Sequence, residues 1–291
     1  MNNHTKKENM TAQCVAVFGT GSDIDTNKRY SSLKNRFPFR LGTTSYIIPE
    51  EILPNVLFLA DKVDDIELVL FESDEFSNLP DETTVKRLKE IADRSDLTYT
   101  IHLPLDTWMG HEEAFVQQRS VDKCLRVIEC TAPLAPFAYV LHFHGDSRGS
   151  CPSPDLERWI DGHRRSVERL LQDVDSHDLC VETLDYPYEI IEDIIRDYNL
   201  SVCLDIGHLL LCGHEPEDYL DRYLPRTRIV HLHGIEDGHD HRSLSFLSPR
   251  LLNTIIDRMG NGPKNHRVLT MEIFDEGALT QSLEVLRRFV L

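Results

Sequence analysis

The chain has 291 residues, 41% apolar and 27% charged, with 49 acidic against 31 basic residues and a formal net charge of −18. That acidity works against tracking a phosphate backbone, and no Lys/Arg cluster relieves it, so nucleic acid is not the expected partner. No apolar run approaches the roughly 18–20 residues of a membrane span, and the polar start MNNHTKKENM lacks a secretory signal.

Seven scattered cysteines (14, 124, 130, 151, 180, 203 and 212) form no CxxC and no even framework. A reduced, cytoplasmic chain is the expectation. AVFGTGSD (16–23) resembles a strand feeding a phosphate turn, but the segment that follows lacks the apolar face of a helix and the third glycine is missing. Residues 1–36 therefore read as a tail or short N-terminal extension.

From residue 37 a rhythm sets in. Strand-like runs recur at 39–46, 66–72, 97–103, 138–144, 179–184, 201–207, 228–234 and 267–274. Between them lie segments of helical period such as 84–94, 115–130, 156–174 and 251–259, and LTQSLEVLRRFV closes the chain. Eight strands alternating with helices predict an α/β fold, a single (β/α)₈ TIM barrel over 37–291. An open doubly wound sheet is the alternative, without the phosphate turn such sheets usually carry.

Barrel strands end at the active-site mouth. The third run ends in His102, and the fourth carries His142 and His144, two apart and so on one face. Glu182 lies in the fifth, and Asp205 ends the sixth with His208 three residues on. His231 and His233 end the seventh, its loop adds His239 and His241, and Glu272 lies in the eighth. A lone histidine at a strand end is more often hydrogen-bonded filler than a ligand, and HLHGIEDGHDH (231–241) alone reads equally well as a solvated loop. Six consecutive strands ending in ionisable groups within apolar runs are another matter, because burying them together is costly without a partner. A divalent metal is that partner, and imidazoles with carboxylates suit zinc, or manganese or iron, better than magnesium or calcium. Cys180, Cys203 and Cys212 read as packing residues, not ligands.

These residues resemble those of the xylose isomerase-like TIM barrels, which include endonuclease IV and many sugar epimerases. The likeness covers roughly residues 37–291, and CLDIGH, IVHLHG, HDHRSL and TME carry it most specifically. The one-metal epimerases use four ligands, falling here on Glu182, Asp205, His231 and Glu272, with the two glutamates doubling as acid and base. The endonuclease-like phosphodiesterases add histidines that match His102, His142, His208 and His241 and hold further zinc ions. One departure stands out: the Asp-x-His of that pattern is His239-Asp240-His241 here.

FPFRLGTTSYIIPEEILPN, DIELVLFES, TYTIHLPLD and VCLDIGHLLLCG are similar to the cobamide-remodelling phosphodiesterases of the CbiR type. That resemblance implies a hydrolase that cleaves the phosphoester linkage of a cobamide's nucleotide loop, a corrinoid substrate and one to three metal ions. Glu182 would bridge two ions, with His102 and His142 on one and Asp205, His231 and Glu272 on the other. His208 and His241 would hold a third or orient the phosphate. The expected catalytic groups are Glu182, Glu272 and His208. Arg40, Thr44, Asp106, His144 and His233 are the expected substrate contacts, the two histidines alternatively supporting ligands from behind. A sugar isomerase or epimerase is the competing reading, and a non-catalytic corrinoid- or metal-binding protein a third.

Overall fold

A computed structural model describes residues 32–73 and 76–290. Eight parallel strands close into a barrel: β1 (Arg40–Thr44), β2 (Asp65–Val69), β3 (Thr98–His102), β4 (Ala138–Leu141), β5 (Leu179–Glu182), β6 (Ser201–Asp205), β7 (Thr227–Leu232) and β10 (Val268–Met271). Around the ring the order is β1-β10-β7-β6-β5-β4-β3-β2. Two short strands, β8 (Gly234–Glu236) and β9 (His239–Arg242), form a separate antiparallel hairpin after β7. Among the described residues no helix is long and apolar enough to cross a membrane.

The helices are α1 (Ile52–Leu59), α2 (Glu82–Ser95), α3 (Ala114–Thr131), α4 (Leu156–Leu170), α5 (Glu192–Asp197), α6 (Ile206–Leu211), α7 (Pro216–Tyr223), α8 (Pro249–Met259) and α9 (Glu276–Leu286). Several begin at a side-chain cap: Asp81, Asp155, Asp205, Ser248 and Asp275 each accept a backbone N–H three residues on, in the first turn.

Strand alternation divides the interior in two. Ile66, Leu68 and Leu70, with Tyr99, Ile101 and Leu103, face outward into the large core shared with the helices. Ala138, Val140, Cys180, Cys203 and Ile229 face inward and form a small second cluster inside the barrel. Two residues beyond Val140, Cys180, Cys203 and Ile229 on the same inward faces stand His142, Glu182, Asp205 and His231.

Leu33 is buried in the core, its N–H reaches Lys62 O, and the Asn35 N–H reaches Asp64 Oδ1 at 2.7 Å. The segment just before β1 therefore packs against the loop that leads into β2. The phosphate-turn lookalike at 16–23 lies outside the described residues.

Candidate metal centre

The inward positions at the C-terminal ends of the strands converge. His142 Nε2 is 2.8 Å and His102 Nε2 3.6 Å from Glu182 Oε2. His231 Nδ1 lies 3.6 Å from Glu182 Oε2, 3.9 Å from Asp205 Oδ2 and 3.5 Å from Glu272 Oε2. His208 Nδ1 is 3.3 Å from Glu182 Oε1 and 3.2 Å from Asp205 Oδ2, and His241 Nε2 is 3.4 Å from Glu272 Oε2.

Among the described residues five donor groups have ligand atoms within 4.8 Å of one another: Glu182/Asp205/His231/Glu272, His102/His142/Glu182, His208/His233/His241, Glu182/Cys203/His231 and Glu67/His102/Glu272. Glu182 belongs to the first two and to the fourth. Among the described residues Glu182 Oε1, Asp205 Oδ2, His231 Nδ1 and Glu272 Oε2 are buried without a hydrogen-bond partner. Buried carboxylate oxygens left in this state are costly, and a cation with nitrogen and oxygen ligands is what they fit. These residues therefore suit a divalent metal.

The electrostatics agree. Burial resists protonation of each imidazole, yet Asp205 and Glu182 carry His208 up to about 10, and Glu272 and Asp240 carry His241 up to about 11. His231 is raised well above its ordinary range, burial being outweighed by acidic neighbours that include Glu67 and Glu272. Burial would raise Glu182 and Glu272, but the imidazoles beside them hold both well below the usual carboxylate range. The cluster draws positive charge, whether as protons or as a cation.

The local sequence explains the placement. Asp205 uses Oδ1 to cap α6 through the His208 N–H at 2.7 Å, which leaves Oδ2 facing the cluster. Gly207 is required because a Cβ there would sit 2.0 Å from the His233 ring. His233 is fully buried on that glycine, its Nδ1 accepting the His241 N–H at 3.0 Å and its Nε2 lying 3.3 Å from Asp205 Oδ1. HLHGIEDGHDH is neither a loose loop nor a continuous strand. Its Asp237-Gly238 pair adopts positive φ at both positions (51° and 77°) and joins Glu236 to His239 across the hairpin. This is the two-residue turn that Asp-Gly favours. The ribbon returns His241 to the mouth and leaves His239 exposed. The Asp-Gly pair is the sequence signal that predicts the hairpin.

Not every expected contact is where the sequence suggested. Arg40 stands at the opening of β1, at the far end of the barrel, where its guanidinium meets Asp64 O and Asp96. It is a bottom-face residue, because β1 runs from Arg40 towards the mouth and the arginine is its first residue, not its last. Thr44 is fully buried and its hydroxyl donates to Ile273 O. Asp106 does lie on the loop after β3, but its carboxylate is paired with Lys123 of α3. His144 packs edge-on against His142 with centroids 4.9 Å apart. Burial and then the neighbouring His142 push its pKa down to about 3, so it stays neutral. Cys203 sits beside Glu182 and His231, but burial pushes its thiol well above the usual range, as it does Cys180 to about 12. Neither offers a thiolate. Cys212 is exposed at the end of α6.

One residue escapes the sequence reading. Glu67 of β2 is fully buried and its Oε2 lies 2.8 Å from His231 Nε2. In IELVL it passes for an interruption of an apolar run. Parity is the available signal: with Ile66 and Leu68 facing the helices, Glu67 must face inward.

Comparison with known proteins agrees with this architecture. The family model described as xylose isomerase-like TIM barrel matches residues 60–288. A D-tagatose 3-epimerase-like protein superposes with a TM-score of 0.68 at 18% identity, covering 86% of this chain and 97% of its own. Endonuclease IV from Thermus thermophilus gives 0.59 at 20% identity, with 86% and 98% covered. D-psicose 3-epimerase with D-tagatose, from Clostridium cellulolyticum, gives 0.65 at 13%, with 87% and 99% covered. No curated protein matches the sequence. Epimerases and a nuclease alike share the architecture at these identities, so the likeness carries the fold and not the reaction. The chain belongs to the xylose isomerase-like TIM barrel family.

Proposed function

We propose that the chain is a metal-dependent phosphodiesterase that hydrolyses the phosphoester linkage of a cobamide's nucleotide loop and releases a cobinamide. The observation that carries the metallohydrolase reading is the size of the donor set. A one-metal epimerase needs Glu182, Asp205, His231 and Glu272, whereas His102 and His142 here add a second group that shares Glu182. Zinc suits this nitrogen and oxygen set, and manganese or iron is compatible with it.

Bound metal supplies Lewis-acid stabilisation of the phosphoryl oxygens and lowers the pKa of water. The protein's own groups do the rest. Glu182 ties the two donor groups together, and Glu272 completes the four-residue one. His208 and His241, with side chains 23% and 28% exposed, are more open than His102, His142 and His231. They meet an incoming phosphate first. Protonated, either would bind its oxygens, and His208 would serve as the proton donor to the leaving oxygen.

The rim supports a large, partly apolar substrate over a free sugar. Of the seven large apolar side chains exposed among the described residues, Leu57 lies on α1. The other six, Phe76, Trp108, Phe115, Leu156, Leu211 and Phe246, lie on segments that follow the mouth ends of the strands. The competing reading, a sugar epimerase, keeps the four-residue group and leaves His102 and His142 without a role.

The test is to incubate metal-replete protein with a cobamide and follow the corrinoid by chromatography while quantifying bound metal. Cobinamide formation, abolished by a chelator and restored by metal, is the expected result. Unchanged cobamide, one metal per chain and turnover of a ketose would overturn it.

A further inference from the structure

β2 contributes nothing to the ligand set expected from sequence, yet it carries a group that reaches across the barrel. Around the ring β2 is separated from β7 by β1 and β10. Glu67 nevertheless meets His231 at 2.8 Å, with both side chains at 0% exposure. A carboxylate so placed fixes which ring nitrogen carries the proton. With a cation in the site, His231 Nε2–H would donate to Glu67 Oε2 and Nδ1 would turn its lone pair towards Glu182, Asp205 and Glu272. That same Nδ1 is one of the buried atoms without a partner among the described residues. An imidazole with one nitrogen held by a carboxylate and the other turned to a cluster of ligand oxygens is oriented for coordination, and such outer partners are worth about 10–100-fold in metal affinity.

We propose that Glu67 is the positioning residue of this centre: it holds His231 in the tautomer that presents Nδ1 to a divalent cation. It also makes a fourth buried carboxylate beside Glu182, Asp205 and Glu272. The alternative, direct ligation by Glu67 with His102 and Glu272, is open to the same donor atoms. The short bond to His231 takes Oε2 while Oε1 stays buried without a partner among the described residues, so the metal count of the Glu67 variants decides between the two roles.

The inference rests on the metal reading and not on the choice of substrate. The experiment is chelator competition on metal-depleted full-length protein, titrated with Zn²⁺ and, for its visible absorption, with Co²⁺. Wild type is compared with Glu67→Gln, Glu67→Ala and, as a control, Asp65→Asn. Asp65 lies two residues earlier on the same inward face and is held by Thr98 Oγ1 at 2.6 Å. Glu67→Ala is expected to weaken the tighter site by about 10–100-fold and alter the cobalt spectrum. Glu67→Gln keeps an acceptor for Nε2–H and is expected to fall between alanine and wild type with its metal count unchanged. Asp65→Asn should leave affinity within about twofold, since it touches no ligand. Loss of one ion in Glu67→Gln would make Glu67 a ligand and overturn the positioning role. Unchanged affinity in Glu67→Ala would make it a structural ion-pair partner. A wild-type chain that binds no metal would overturn the metal reading itself, and this inference with it.

Discussion

The two halves of the barrel interior differ directly beneath the metal centre. Under His142, Glu182, Asp205 and His231, two residues back on the same strands, lie Val140, Cys180, Cys203 and Ile229, which pack with one another. Under Glu67, His102 and Glu272 lie Asp65, Thr100 and Thr270, and the matching position on β1 is Gly42. The first floor is apolar. On the second, Asp65 Oδ1, Thr100 Oγ1 and Thr270 Oγ1 are buried without a partner among the described residues. An apolar floor removes screening from the charges above it and fixes the ligands by packing. A polar floor holds strain, seen most plainly in Asp65, whose pKa burial lifts to about 7. Four of the candidate ligands thus stand on the dry half, while the more polar half carries His102, Glu272 and the carboxylate that meets His231.

Substitutions in each half sharpen or break this contrast. The largest effect is expected from Glu182→Gln on the dry half, which should lose metal and at least about 10³-fold in activity while staying folded, the several kcal/mol a Lewis acid supplies. An active Glu182→Gln enzyme would remove the shared-carboxylate assignment. On the polar half Asp65→Asn should act on stability instead. Its folded-state pKa, about 7, lies above the ordinary aspartate value. The charged carboxylate therefore destabilises the fold progressively as pH rises from about 4 to 7 and fully above that. The amide should gain about 2–4 kcal/mol at pH 8 and nothing at pH 4, measured by urea unfolding. A gain equal at both values would refute the charge argument.

Gly207→Ala is expected to cost about 1–3 kcal/mol in thermal unfolding, because the added methyl meets the His233 ring. It should disturb His208 and His241 more than His102 and His142. The smallest effect belongs to Gly238→Ala in the hairpin turn, about 1 kcal/mol from its positive φ. A metal count unaltered in that variant is expected, with weaker phosphate inhibition, if His241 serves the phosphate.

Much of this is legible in residue order. Eight alternations of strand and helix impose the barrel, and parity along AYVLHFH and RIVHLHG aligns His142 and His231 on the inward face. Other features are hidden for physical reasons. Glu67 lies in a run whose apolar neighbours serve a different core. Arg40 is the second residue of the run 39–46 and opens β1, so it falls at the end away from the mouth and not among the expected substrate contacts. The short helices α1, α5 and α6, of eight, six and six residues, carry too few turns for a clear period. Leu33 sits before the first strand, where no alternation announces that a leucine is part of the core.

The hairpin that carries His241 lies outside the hydrogen-bonded ring of the barrel. Its two strands can lengthen, shorten or exchange their histidine without shifting the register of any barrel strand. The centre is therefore divided into a fixed part, written into the ladder, and a detachable part that hangs from it. A lineage built on such a frame can change what it does to a substrate by revising this one ribbon, and leave the folding problem already solved.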